Sequence, residues 1–269
     1  MKIGIFDSGI GGLSVLHAAM RAIPNAEFLY YADVKNVPYG EKSPEEILRF
    51  SLDALEFLVS EGADAVVVAC NTATSVAVAE LRAIYEQKDA PKSTLIIGME
   101  PAVKLALDIG RQGRIIMAAT PITVRGEKLS NLLSLYDKHA LTDSIPLPML
   151  VRFAEREEFD SDAVKNYLCE QLSEFELDKY GALVLGCTHF NYFKDSFRDI
   201  LPEKIALVDG IDGTVRRLSS RLGIATDTSG ECKKARVRFF ESGAPVTSND
   251  GTARFERLLE RLKKMENIK

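Results

Sequence analysis

Short apolar runs alternate with longer amphipathic stretches along this chain, and the apolar runs end in small polar residues or cysteine. Residues 2–6 read as a strand, Asp7-Ser8-Gly9-Ile10-Gly11-Gly12 as a turn and Leu13–Ala22 as a helix. Pro24-Asn25 breaks that helix, Glu27–Ala32 forms a second strand ending at Asp33, and Val37-Pro38-Tyr39-Gly40 is a loop by its Pro and Gly. Ser43-Pro44-Glu45-Glu46 has the N-cap, the first-turn proline and the capping glutamate of a helix start. The helix it opens puts Ile47, Phe50, Leu55, Leu58 and Val59 on one face. Residues 65–68 and 182–185 are apolar throughout, as in strands buried on both faces of a parallel sheet.

The pattern repeats. Past Cys70 it predicts a helix over 75–86 and a strand over 94–98, then restarts with a strand over 114–118. Thr120-Pro121 takes the place of Asp7-Ser8 at the end of that strand. Cys70 lies 65 residues beyond Ile5 and Cys187 lies 70 beyond Met117, a near-equal offset that points to internal duplication. After Cys187 the pattern predicts one helix, a strand over 205–208 and a charged C-terminal helix from about Thr252. The expected fold is α/β, with two pseudo-symmetric lobes, each a parallel sheet flanked by helices, and the active site between them. Residues 1–97 with 208–269 are expected to form the first lobe and 98–207 the second.

Composition narrows the function classes. With 46% hydrophobic and 27% charged residues the chain has ordinary globular make-up, and a formal charge of −5 argues against nucleic acid as the main ligand. No stretch approaches the roughly 18–20 continuous apolar residues of a membrane span, and the opening lacks a signal peptide's apolar run, so a cytoplasmic location is expected. The 4 cysteines include no C-x-x-C pair and only 3 histidines accompany them, so neither a disulfide framework nor a metal site is expected.

Candidate chemistry gathers at the strand ends. Gly9-Ile10-Gly11 misses the dinucleotide fingerprint because Ser14 stands where the third glycine belongs, and Asp7 would repel a pyrophosphate. Cys70 and Cys187 occupy matched positions outside two strand ends, where ligands of parallel sheets sit, and two equivalent groups facing one substrate suit a racemase. A catalytic thiol needs help to ionise, and the helix N-termini that follow both strands are expected to lower both pKa values. His189 stands two residues from Cys187. Cys169, Cys232, His17 and His139 read as structural or incidental, and Glu155 with Glu157-Glu158 reads, by itself, as a solvated charge run. A nucleotide-binding module remains open on the residues alone.

Four blocks carry a resemblance. Residues 4–16 around Asp7-Ser8-Gly9-Ile10-Gly11-Gly12, then Val37-Pro38-Tyr39-Gly40, Cys70-Asn71-Thr72-Ala73 and Gly186-Cys187-Thr188-His189 closely resemble the glutamate racemases, within the aspartate/glutamate racemase superfamily. That resemblance implies racemisation of L- and D-glutamate without a cofactor, supplying D-glutamate for peptidoglycan. Cys70 would act on the D-isomer and Cys187 on the L-isomer, with Asp7 assisting Cys70, and His189 and Glu155 assisting Cys187. Asp7, Ser8, Pro38, Tyr39, Gly40, Asn71, Thr72, Thr120, Thr188 and His189 would hold the substrate. The family expectation is a homodimer that binds neither nucleic acid nor membrane. A racemase of aspartate or a related acid is the nearest alternative, and a non-catalytic binder of dicarboxylic amino acids is another. The segment Pro148–Glu155 departs from the family pattern, which usually has proline where Arg152 stands.

Overall fold

The computed structural model describes residues 1–87, 93–108, 113–225 and 235–268; Cys232 lies outside them. In chain order the first elements are β1 (Lys2–Asp7), α1 (Leu13–Ala22), β2 (Glu27–Ala32), α2 (Pro44–Ser60), β3 (Ala65–Val68), α3 (Asn71–Val76), α4 (Val78–Tyr85) and β4 (Leu95–Gly98). Next come α5 (Ala102–Asp108), β5 (Arg114–Ala119), α6 (Pro121–Arg125), α7 (Glu127–Tyr136), β6 (Thr142–Pro146), α8 (Pro148–Glu155) and α9 (Asp162–Leu172). The chain then runs through β7 (Tyr180–Leu185), α10 (Lys194–Ile200), β8 (Ala206–Val208), α11 (Ile211–Leu222), β9 (Arg236–Glu241), β10 (Ala244–Pro245) and α12 (Asn249–Met265).

Two sheets result, ordered β10-β9-β2-β1-β3-β4 and β6-β5-β7-β8. The sub-orders β2-β1-β3-β4 and β6-β5-β7-β8 are the same topology used twice, with every neighbour inside them parallel. The register pairs Ile5 with Val67 in one and Met117 with Val184 in the other. β3 and β7 are buried along their whole length, which explains their uninterrupted apolar sequence. In each sheet the strand order reverses beside the first strand, and the loops that flank this point form the crevice of such folds. Asp7 and Cys70 lie there in the first lobe, Thr120 and Cys187 in the second.

The structure corrects several expected elements. The helix after Cys70 starts at Asn71 rather than 75 and is broken at Ala77 into α3 and α4. Between Cys187 and β8 the one expected helix is α10, preceded by a 3-10 turn (Thr188–Phe193), whereas α11, after β8, was not expected. β9 and β10 were not expected; β9 joins β2 in parallel and β10 adds one antiparallel strand to the first sheet. β9 alternates arginine with Val237 and Phe239, and two exposed guanidinium groups mask its strand character. Ser248 caps α12, which therefore begins three residues before Thr252.

Candidate active site

The first-lobe half of the site is built from the end of β1. Asp7 is fully buried; its Oδ1 accepts the Gly9 N–H at 3.0 Å, and its Oδ2 accepts the Thr188 hydroxyl from the other lobe at 3.0 Å. Burial pushes its carboxyl above the ordinary 3.8, against the opposing pull of His189 and the two hydrogen bonds. The Tyr30 hydroxyl donates to the Gly9 carbonyl at 2.7 Å and the Tyr192 hydroxyl to the Ile10 carbonyl at 3.1 Å, so both lobes hold this turn. The glycines serve close approach: a methyl at Gly9 would run into Glu155, and one at Gly11 into Thr188 and His189.

Cys70 caps α3, with its Sγ accepting the Ala73 N–H at 3.4 Å and donating to Ser8 Oγ at 3.7 Å. Burial first, and the charge of Asp7 second, push its thiol up to about 12. The expectation that a helix N-terminus lowers this pKa is therefore reversed: α3 has 6 residues, and desolvation outweighs its N–H groups. The folded chain keeps this proton through the range where the unfolded chain, near 9.0, releases it. Stability is thus favoured below about pH 9 and falls as pH rises towards 12, by up to roughly 1.4 kcal/mol per pH unit for this group. Denaturant titrations at pH 9 and pH 10 should show a smaller decline for Cys70→Ala than for the parent; equal declines refute this account.

The second-lobe half is a relay. Cys187 Sγ lies 3.7 Å from His189 Nδ1, and His189 Nε2 lies 2.6 Å from Glu155 Oε1. Burial on its own lowers the pKa of His189, but the bonds to Cys187 and Glu155 outweigh it and hold the imidazole well above 6.5. Glu155 Oε1 also accepts the Ile10 N–H at 2.9 Å. Its side chain is only 17% exposed, so the solvated reading of Glu155 fails. It survives for neither neighbour in full: Glu157 pairs with Arg254 at 2.7 Å, and Glu158 accepts the Ser161 hydroxyl at 2.6 Å.

Around these thiols lie the remaining sequence candidates. Thr72 and Thr120 meet across the lobes at 3.0 Å, and Thr120 reaches Thr123 at 3.0 Å, a third hydroxyl the sequence reading missed. Thr123 was legible only as the fourth residue after a strand end, Thr120-Pro121-Ile122-Thr123, a weak signal. Gly40 abuts Thr120, where a methyl would come within 2.8 Å. Tyr39 is buried, but its hydroxyl is already donated to Asp33 at 2.8 Å, which leaves the loop backbone and ring for any ligand. Pro38 and Asn71 adjoin the site at the loop before Tyr39 and the start of α3. His17 lies apart, 3.5 Å from Glu266, and Cys169 is exposed on α9. Among the described residues no His, Cys, Asp and Glu side chains gather as metal ligands, and no helix is long and apolar enough to cross a membrane.

Twin α/β lobes meet here at strand ends that each present a buried thiol, and the two-lobed fold is that of a racemase. The chain belongs to the Asp/Glu/Hydantoin racemase family, whose model matches residues 11–218. It is 54% identical to the glutamate racemase of Campylobacter curvus, covering 100% of both chains. Its structure is similar to that of the Francisella tularensis glutamate racemase in complex with D-glutamate (TM-score 0.76, 26% identity, 96% of this chain and 93% of that one). The Escherichia coli glutamate racemase, in complex with L-glutamate and the activator UDP-MurNAc-ala, is similar too (TM-score 0.79, 25% identity, 97% and 94% covered).

Proposed function

We propose that the chain interconverts L- and D-glutamate by a two-base, cofactor-independent mechanism in which Cys70 and Cys187 act on opposite faces of Cα. The observation that carries this reading is the pairing of the Cys187–His189–Glu155 relay in one lobe with the buried thiol of Cys70 in the other. Cys187 Sγ, with His189 beside it, takes the Cα proton of the L-isomer. The electron pair left on Cα delocalises into the adjacent carboxylate, where donors such as the Thr72, Thr120 and Thr188 hydroxyls meet the growing charge. The Cys70 thiol then gives its proton to the opposite face, so one turnover leaves the two cysteines with exchanged proton states. The reverse reaction starts with Cys70 as base, assisted by Asp7.

Glutamate racemases at 54% and 52% identity support this substrate over aspartate. The proposal extends to a cytoplasmic homodimer that supplies D-glutamate for peptidoglycan. It is tested with purified protein and L-glutamate in D₂O, following the Cα proton by NMR and the optical rotation together. Loss of both signals is expected. Exchange of aspartate but not glutamate would move the substrate, and binding without exchange would make the chain a binding protein.

A further inference from the structure

Arg152, on α8, has a partner in the other lobe. Its Nη2 lies 2.7 Å from Glu41 Oε1 and 2.6 Å from Glu41 Oε2, and its Nε 3.2 Å from Oε1. We propose that this forked ion pair is a clasp that sets the closed register of the two lobes, and that Arg152 and Glu41 are positioning residues for the racemase site; the inference rests on the function proposed above.

The placement of each partner argues for this. Arg152 lies one helical turn before Glu155 on α8, so the two share a face and move as one body. Glu41 ends the 3-10 turn Tyr39–Glu41, directly after Gly40, which packs on Thr120. The clasp therefore joins the helix that carries the relay carboxylate to the loop that carries three substrate-binding candidates, Pro38, Tyr39 and Gly40. Arg254–Glu157 and Arg261–Asp160 also tie separate parts of the chain, but their cationic partners stand on α12, away from the strand-end loops.

Depth gives the clasp its role. The contacts beneath it, Asp7 with Thr188, Thr72 with Thr120 and the Ile10 N–H with Glu155, occupy groups that a substrate needs, so the lobes must part for it to enter. Those groups are mostly buried, whereas the side chains of Arg152 and Glu41 are 46% and 39% exposed. An exposed pair can break and re-form in water without stranding a buried charge. It thus biases closure while leaving the lobes free to open.

The test is hydrogen exchange on the full, ligand-free chain, reading residues 8–13, where the Ile10 amide is held by Glu155, with β3 as the internal reference. Arg152→Ala and Glu41→Ala should each speed exchange of 8–13 by about two- to five-fold, the scale of an exposed forked pair, and leave β3 unchanged. The charge swap Glu41→Arg with Arg152→Glu should return it to the parent rate. Raising the parent to about 1 M salt, where screening acts within roughly 3 Å, should bring it to the rate of the single variants. A swap that exchanges as fast as the single variants, or single variants and high salt that change nothing, overturns the clasp. A parent that folds but does not racemise glutamate overturns the function while the exchange arms still judge the clasp.

Discussion

Replacing Cys70 by serine lowers glutamate racemisation by about 10²–10⁴-fold, the usual worth of a positioned acid or base, and replacing Cys187 does the same. Serine nearly preserves the shape at both positions, each 5–6% exposed, so the loss is chemical and the folded state persists. The two variants differ in what they retain. On the proposed two-base mechanism each keeps one base on one face of Cα, so in D₂O each should still wash out the α-proton of one enantiomer without converting it. Cys70→Ser should act on the L-isomer through the intact His189–Glu155 relay, and Cys187→Ser on the D-isomer through Cys70 and Asp7. Near-normal racemisation in either variant, or washout of the same enantiomer by both, rules out two bases of opposed facing. The pattern is informative because the two halves are built differently. Cys70 is a desolvated thiol beside a carboxylate, while Cys187 has an imidazole that holds its proton above the ordinary range.

Much of this was legible before the structure. Buried parallel strands announce themselves by apolar runs, and the crevice lies at their carboxyl ends, so Asp7, Cys70, Thr120 and Cys187 could be placed by counting strands. The near-equal offsets within the two halves correspond to the shared β2-β1-β3-β4 and β6-β5-β7-β8 orders. What the sequence hid depends on contacts between lobes. Glu155 looks like one of a solvated acidic run because its partners, His189 and the Ile10 amide, are 34 and 145 residues away. The direction of the Cys70 shift is not legible because a helix start is visible in sequence, whereas the burial whose desolvation opposes it is a property of the folded chain. Arg152 could be seen as a departure but not as a clasp, since Glu41 precedes it by 111 residues. Nor does a glycine-rich turn after a first strand say what it approaches. It resembles half of a phosphate cradle, yet here it makes room for the second lobe.

That last point yields the second large effect, the substitution Gly11→Ala. Its methyl would come within 2.6 Å of His189 Nδ1 and 2.8 Å of the His189 backbone nitrogen, and into Thr188 Oγ1 as well. The first and third of these atoms belong to side chains, but the second is backbone of the turn that carries Cys187, so the neighbour cannot simply rotate aside. Relief comes from parting the lobes by a fraction of an ångström to an ångström. Such a displacement breaks the 3.0 Å bond from Thr188 to Asp7 and separates the two thiols that must flank one carbon. Misplacement on the order of 1 Å costs about 10²-fold in rate, so kcat/KM should fall by that much or more. Overpacking on this scale costs about 1–3 kcal/mol, so the variant should still unfold cooperatively, with an intact far-ultraviolet circular dichroism spectrum. The deficit should lie in kcat, because catalysis needs both faces addressed at once while one lobe alone still offers most of its ligand contacts. Full activity in a folded Gly11→Ala protein would mean that the catalytic arrangement is more open than this structure. The closed contacts among Asp7, Thr188, Ile10 and Glu155 would then have no bearing on turnover.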